Sequence, residues 1–285
     1  YTSVYVRGLA EGVKENSNPS ALRETNPYTL RGSFRRVAWN FLLKYRAIAL
    51  WSRWEGELLS LSVPTIVTTE KVAEEMSSSY SINRNTIFVV PNFPMEDEAQ
   101  SLGKPTYHGR LSSVYAGADR FYSAGVYAHR NLNGLAETFL NNDIGSLVMI
   151  GVNRPQSESV ACSKVKYTEF LPRREMYNEM FNHSIGLMAF KKHWSHKFKS
   201  PNKAYEYAHA GLYVMCTSSF TSVIESFNGN CAVFEDYDDL ASQLAYYSKN
   251  LDELYEMRLK SFEYARRNLI WQKYEENMFR TYQLA

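Results

Sequence analysis

Phe198-Lys-Ser-Pro-Asn-Lys-Ala-Tyr-Glu-Tyr-Ala-His-Ala-Gly211 is the stretch from which the fold and a candidate site both follow. Ser200 is a good N-cap, Pro201 suits the first helical position and Gly211 ends the run as a left-handed cap. These signals predict a helix over 201–210. The apolar runs on either side, Ile185–Phe190 and Leu212–Cys216, read as short buried strands. Strand, capped helix, strand is the unit of a parallel sheet. The open amides of the helix's first turn, with its dipole, make an anion site. Lys203 and Glu206, three residues apart, project from one face. An acidic side chain one turn below a phosphate site suits two vicinal ribose hydroxyls. The local chemistry therefore reads as a sugar nucleotide, with the diphosphate at the helix tip and the ribose on Glu206. A well-capped ordinary helix with solvated Lys203 and Glu206 is the other reading of the same residues.

Outward from this helix the alternation continues. Ser113–Gly117, Ser146–Gly151, Val165–Phe170 and Cys231–Phe234 read as strands. Leu132–Asn141, Arg173–Asn182, Thr221–Phe227, Asp238–Lys249, Leu251–Asn268 and Gln272–Tyr282 read as helices. Short apolar strands alternating with such helices imply a parallel sheet covered on both faces. Nearer the N-terminus, Ser3–Arg7 reads as a short strand. Residues 33–61 read as helical, with Ser33 capping the start and Gly56 breaking the run. Pro64–Thr68 and Thr86–Val90 are strands on either side of a helix over Thr69–Tyr80. Residues 91–110, rich in Pro, Glu, Asp, Gln and Gly, lack apolar periodicity and mark a domain boundary. The expected organisation is a partial domain over 1–95, a linker over 96–112 and a complete domain over 113–285.

The composition agrees with this and excludes several classes. The chain of 285 residues is 45% hydrophobic and 22% charged, an ordinary globular balance. A net charge of +2 does not argue for nucleic acid. No run reaches the roughly 18 apolar residues of a membrane span, and no signal peptide is visible. Cys162, Cys216 and Cys231 have no metal-type spacing and read as buried thiols of a reducing compartment. No Ser-His-Asp or Cys-His constellation and no Walker-type phosphate loop is present.

Ser200-Pro-Asn-Lys-Ala-Tyr-Glu-Tyr-Ala-His-Ala-Gly211-Leu-Tyr-Val214 resembles the SP-x-K-x-x-E-Y-x-x-x-G-x-x-V signature of glycosyltransferase family 4. Other landmarks follow in that family's order: Thr65-Ile-Val-Thr-Thr69, Ile87-Phe-Val-Val-Pro-Asn92, Val114-Tyr-Ala-Gly117 and Val165-Lys-Tyr-Thr-Glu-Phe-Leu171, with Asp239, Leu240 and Trp271 in the closing helices. The resemblance covers roughly residues 57–285. It implies an α/β fold of the GT-B type: a Rossmann-like C-terminal domain that binds the nucleotide sugar, preceded by part of an acceptor-side Rossmann-like domain. It implies that Glu206 binds the ribose, that Ser200, Asn202 and Lys203 serve the diphosphate, and that Gly117 lets the backbone approach it. Arg130 would neutralise the leaving phosphates, and Arg173 and Leu171 would flank the base. The activity implied is transfer of a hexose-type sugar from a UDP- or GDP-sugar to a hydroxyl of a glycan, lipid-linked glycan or protein. Retention of configuration and independence of metal or other cofactor are implied with it.

The sequence departs from that pattern in places. Phe198 stands where the family often carries a second acidic residue, and Leu171 or Pro172 replaces a glycine beside the base. Residues 1–90 lack the glycine-rich loop of a full N-terminal domain, and no residue stands out as catalytic. Two rivals therefore stay open: a non-catalytic donor-binding or regulatory subunit, and a sugar-nucleotide epimerase of the same architecture.

Two basic stretches add partner readings. Arg31, Arg35, Arg36, Lys44, Arg46 and Arg53 are interleaved with Trp39, Phe41, Trp51 and Trp54. Such a helix lies either in an anionic lipid interface or packed on the sheet with a solvated basic face. The protein is expected to be cytoplasmic, and the first option would place it at the inner membrane face. Lys191-Lys-His-Trp-Ser-His-Lys-Phe-Lys199 precedes the binding helix and is placed for phosphate contact. Its His193 and His196 are not read as a metal pair, because no carboxylate or Cys is near. His209 reads as structural.

Overall fold

A computed structural model describes residues 46, 48–100, 103–117, 128–152 and 164–284. The readings placed on Ser3–Arg7, on residues 33–45 with Trp39, Phe41 and Lys44, and on Cys162 lie outside the described residues. The chain divides into two compact units, one of Tyr1–Val67, Val72–Phe88 and Arg280–Ala285, the other of Thr68–Lys71 and Val89–Phe279.

The smaller unit contains helix α1 (Ile48–Ser60), strand β1 (Thr65–Val67) and most of helix α2 (Glu70–Tyr80) and of strand β2 (Ile87–Val89). The two strands form a two-stranded sheet. Helix α1 runs through Gly56 without the expected break. Gly56 faces the ring of Tyr80, where a Cβ would lie 3.2 Å from Cδ1, and the Tyr80 hydroxyl donates to Glu55 at 2.6 Å. Leu50, Trp51, Trp54 and Leu58 of α1 stay exposed, and the two tryptophans meet edge to face at 5.4 Å. Among the described residues no helix is long and apolar enough to cross a membrane.

The larger unit is built on six strands: β3 (Ser112–Ala116), β4 (Ser146–Ile150), β5 (Val165–Thr168), β6 (Ile185–Met188), β7 (Tyr213–Thr217) and β8 (Ala232–Phe234). All pair in parallel, in the order β5-β4-β3-β6-β7-β8. This is the doubly wound order, in which the winding reverses between β3 and β6 and a crevice opens beyond their carboxyl ends. Every residue of β3, β6 and β7 is buried, as expected of central parallel strands covered on both faces.

Helix α3 (Glu96–Gln100) lies in the stretch read as lacking periodic structure; its charged, five-residue sequence shows no apolar face. The remaining helices are α4 (Leu135–Asn141), α5 (Arg173–Phe181), α6 (Asn202–His209), α7 (Thr221–Phe227), α8 (Tyr237–Lys249), α9 (Leu251–Asn268) and α10 (Glu275–Leu284). Gly211 adopts φ +75°, as the left-handed cap requires, and stands against Pro105. The buried Arg258 of α9 donates to the carbonyls of Gly211 at 2.9 Å and Thr106 at 2.8 Å, which ties residues 105–106 to the end of α6. Cys216 and Cys231 are free and buried.

Candidate functional site

The crevice at the switch point is lined from two sides. Tyr115 comes from β3, and Phe190 follows β6; their rings meet edge to face at 5.8 Å. The loop after β6 returns as a 3-10 turn over Trp194–Phe198 and enters α6. Helix α6 is thereby aimed with its N-terminus at the carboxyl ends of the strands. Lys203, in its first turn, reaches back into the crevice: its Nζ donates to the Tyr115 hydroxyl at 2.7 Å and lies 4.1 Å from that ring's centroid and 4.9 Å from that of Phe190. A cation set over two aromatic faces is held in place rather than left to swing in solvent.

One turn on, Glu206 is 6% exposed. Burial pushes its carboxyl up, and Arg173 and Lys203 pull it back down. Arg173 Nη1 lies 2.9 Å from Glu206 Oε1, so the buried carboxylate has a charged partner from the first residue of α5. The Arg173 guanidinium also rides over the ring of Tyr177, at 5.5 Å from its centroid. On the other flank, burial and the neighbouring Arg130 guanidinium push the Lys199 ammonium down to about 8. Arg130 and Lys199 thus share a field one residue before Ser200, although they are far apart in sequence.

The residues expected to form the site divide into those the fold gathers and those it turns elsewhere. Glu206, Lys203 and Arg173 converge, and Arg130 joins Lys199. Asn202 is exposed at the start of α6, and Leu171 is half-buried against the core. Ser200 is not the N-cap. Pro201 takes that position without a side-chain hydrogen bond, while the buried Ser200 hydroxyl pairs with the Tyr205 hydroxyl at 3.0 Å and its carbonyl accepts from Asn92 Nδ2. The Gly117 amide donates to the Ile150 carbonyl at 3.0 Å and extends the sheet ladder. Phe198 is buried at the end of the 3-10 turn.

The histidines of the basic loop serve its fold. His196 is fully buried, stacks on Phe220 at 4.1 Å, donates from Nε2 to the His129 carbonyl at 2.7 Å and meets the Ser219 hydroxyl through Nδ1 at 2.8 Å. Both ring nitrogens are used, and burial pushes its pKa down to about 3. His193 Nδ1 lies 2.8 Å from the Ser195 hydroxyl. His209 donates from Nε2 to the Leu269 carbonyl at 2.9 Å, the structural role expected of it. Among the described residues no group of three His, Cys, Asp or Glu is placed to hold a metal ion.

Three contributors had no individual signal in the sequence. Lys199 was one cation of a basic run, Tyr115 one apolar residue of a strand, and Glu98, whose Oε2 accepts from Arg173 Nη2 at 2.8 Å, one acid of a charged segment. Only the folded chain, which brings loop 191–199 against residues 129–131 and Glu98 to Arg173, singles them out.

No family model and no curated protein matches the sequence. The likeness appears among solved structures. A glycosyltransferase from Rickettsia africae ESF-5 superposes with TM-score 0.58 at 12% identity, covering 81% of this chain and 66% of that one. TarM does so with TM-score 0.57 at 11% identity, over 76% of this chain and 42% of that one. Anabaena Alr3699/HepE in complex with UDP gives TM-score 0.56 at 8% identity, over 76% and 63%. These similarities establish the fold class expected from the sequence: an α/β fold of the GT-B type, with a Rossmann-like parallel sheet. The chain spans between 42% and 66% of the length of these three structures.

Proposed function

We propose that this chain binds a nucleotide-diphosphate sugar, UDP- or GDP-linked, and takes part in transferring the sugar to an acceptor hydroxyl on a glycan, lipid-linked glycan or protein. The observation that carries the reading is Glu206. It is a buried carboxylate at the mouth of the switch-point crevice, one turn from a lysine held over aromatic rings. A buried acid there gives two vicinal ribose hydroxyls a charged acceptor. Lys203, with Arg130 and Lys199 on the flank, meets the charge of a diphosphate and of the diphosphate leaving group. Cations already in place in a partly dry crevice stabilise that developing charge without reorganising, which supports transfer without a metal ion. Retention of configuration belongs to the same proposal.

Calorimetric titration of the full chain with UDP, GDP and their sugars, beside the Glu206→Ala variant, is the test. Micromolar binding of one nucleotide that Glu206→Ala abolishes is the expected result. A folded chain that binds neither nucleotide sinks the reading.

The exposed Leu50, Trp51, Trp54 and Leu58 of α1 favour a second proposal, that this helix rests on an anionic membrane surface from the cytoplasmic side. Co-sedimentation with vesicles containing phosphatidylglycerol, lost on Trp51→Ser with Trp54→Ser, is the expected outcome. Binding to neutral and anionic vesicles alike, or to neither, counts against it.

A further inference from the structure

Three elements distant in sequence meet at one guanidinium. Arg173 sends Nη1 to Glu206 Oε1 at 2.9 Å and Nη2 to Glu98 Oε2 at 2.8 Å. Glu98 belongs to α3, Arg173 to α5 and Glu206 to α6. The side chain of Glu206 is 8% exposed and those of Arg173 and Glu98 are 47% and 36%, so the guanidinium spans from the crevice to solvent.

An arginine facing a single carboxylate favours two parallel bonds, one to each oxygen. Here Arg173 does not make that fork with Glu206, because Glu98 holds its second terminal nitrogen. Among the described residues nothing else donates to the second oxygen of Glu206. We infer that Glu98 is a positioning residue of the nucleotide site: by holding one arm of Arg173, it keeps Oε2 of Glu206 open to a ligand hydroxyl. The affinity for nucleotide is thereby coupled to α3, a segment outside the crevice itself. The inference rests on the proposed function and adds to it a residue that touches no ligand.

The arrangement fixes the direction of each change. Without Glu98, Arg173 closes both arms on Glu206, and a ligand hydroxyl must displace a buried, charge-assisted bond. The same closure favours the ionised carboxylate, so the acid limit of binding moves to lower pH. Without Arg173, the buried Glu206 loses its main counter-charge, its carboxyl rises further and the acid limit moves to higher pH. Glu98 then loses its hydrogen-bonded route to Glu206 and keeps only the repulsion of its like charge.

The test is a titration series with UDP and GDP from pH 4.5 to 8 on the full chain and on Glu98→Ala, Glu98→Gln, Arg173→Met, Glu98→Ala with Arg173→Met, and Glu206→Ala. Glu98→Ala is expected to weaken binding about tenfold, a coupling of ordinary size for residues in one network, and to lower the acid limit. Glu98→Gln, which still accepts from Nη2, restores most of the affinity. In the Arg173→Met background, Glu98→Ala no longer weakens binding, and relief of its repulsion on Glu206 leaves the affinity equal or slightly higher. Unchanged affinity in a folded Glu98→Ala chain, where Glu206→Ala abolishes binding, overturns this inference alone. An equal loss from Glu98→Ala with and without Arg173 overturns it too, since the residue would then act by another route. Absence of nucleotide binding by the unaltered chain overturns both this inference and the proposed function.

Discussion

Tyr207 lies flat against Gly186: a Cβ on Gly186 would stand 2.4 Å from Tyr207 Cγ and 2.6 Å from its Cβ. The glycine opens the middle of β6 so that α6 can come down on the sheet. From there the Tyr207 hydroxyl accepts the Ala116 amide at 2.7 Å, beyond the Ser113–Ile185 and Val114–Gly186 pairs where β3 and β6 are in register. One residue pair therefore sets the depth of the helix that carries Lys203 and Glu206.

Gly186→Ala has no flexible side-chain end to push aside and is expected to cost about 3 kcal/mol, read as a fall in Tm of roughly 6–10 °C. Tyr207→Phe keeps the ring but leaves a buried strand amide unpaired, for about 1–3 kcal/mol. Denaturant unfolding of both variants measures this. A Gly186→Ala chain as stable as the parent would show that α6 does not rest on β6 as described.

Nucleotide binding should weaken above pH 8. Burial and Arg130 hold Lys199 down to about 8, so in the ligand-free protein its charge is full below that pH and lost above it. A diphosphate favours the ammonium form, and binding near pH 9 therefore takes up a proton. Titration with UDP in two buffers of different ionisation enthalpy reads the proton count, and Lys199→Met abolishes the uptake. A binding enthalpy independent of buffer at pH 9 would remove Lys199 from the phosphate site.

Acid should destabilise the larger unit through two buried histidines. Burial pushes His196 down to about 3 and His209 to about 4, both below the ordinary value of 6.5. The unfolded chain takes up these protons as the pH falls through 6.5, while the native state stays neutral. Stability is whole well above 6.5 and drains away below it, down to about 4 for His209 and about 3 for His196. Together the two groups remove about 2 kcal/mol between pH 6 and pH 5. Replacing His209 by Asn should flatten the pH dependence of Tm in that window by about half. An unaltered slope would contradict the neutral, buried state described for it.

Arg258→Met should destabilise the chain by about 3 kcal/mol, because the Gly211 and Thr106 carbonyls lose a charged donor inside the core. Hydrogen exchange is expected to rise at residues 103–110 and at the end of α6. A general rise with no emphasis there would mean that Arg258 supports the core at large rather than this joint.

Much of the site was legible because its signals are local. Pro201 and Gly211 bracket a helix whatever surrounds it, and an acid and a lysine three residues apart share a face of any helix. The direction of a side chain is not local. Ser200 has the chemistry of an N-cap, but Tyr205, itself in contact with Phe93 at 4.5 Å, offers its hydroxyl a buried partner, and Pro201 takes the cap. Gly56 carries a breaker's signal, and the ring of Tyr80 accounts for its presence inside a helix instead.

The sequence by itself determined the alternation of strand and helix, the parallel sheet that alternation requires, the α6 helix and the identity of Glu206 and Lys203 as its chemical face. Periodicity, capping and glycine conformation depend on neighbours within a turn or two, so one strand of text contains them. The tertiary structure alone decided that the winding reverses between β3 and β6. It alone set Lys203 over Tyr115 and Phe190, placed Lys199 in the field of Arg130, and divided one guanidinium between Glu98 and Glu206. Most of those contacts join residues far apart in the chain, Lys203 with Tyr115 across 88 positions and Arg173 with Glu98 across 75. They exist only because hydrophobic burial closes the sheet and carries the chemistry-bearing loops to the same edge.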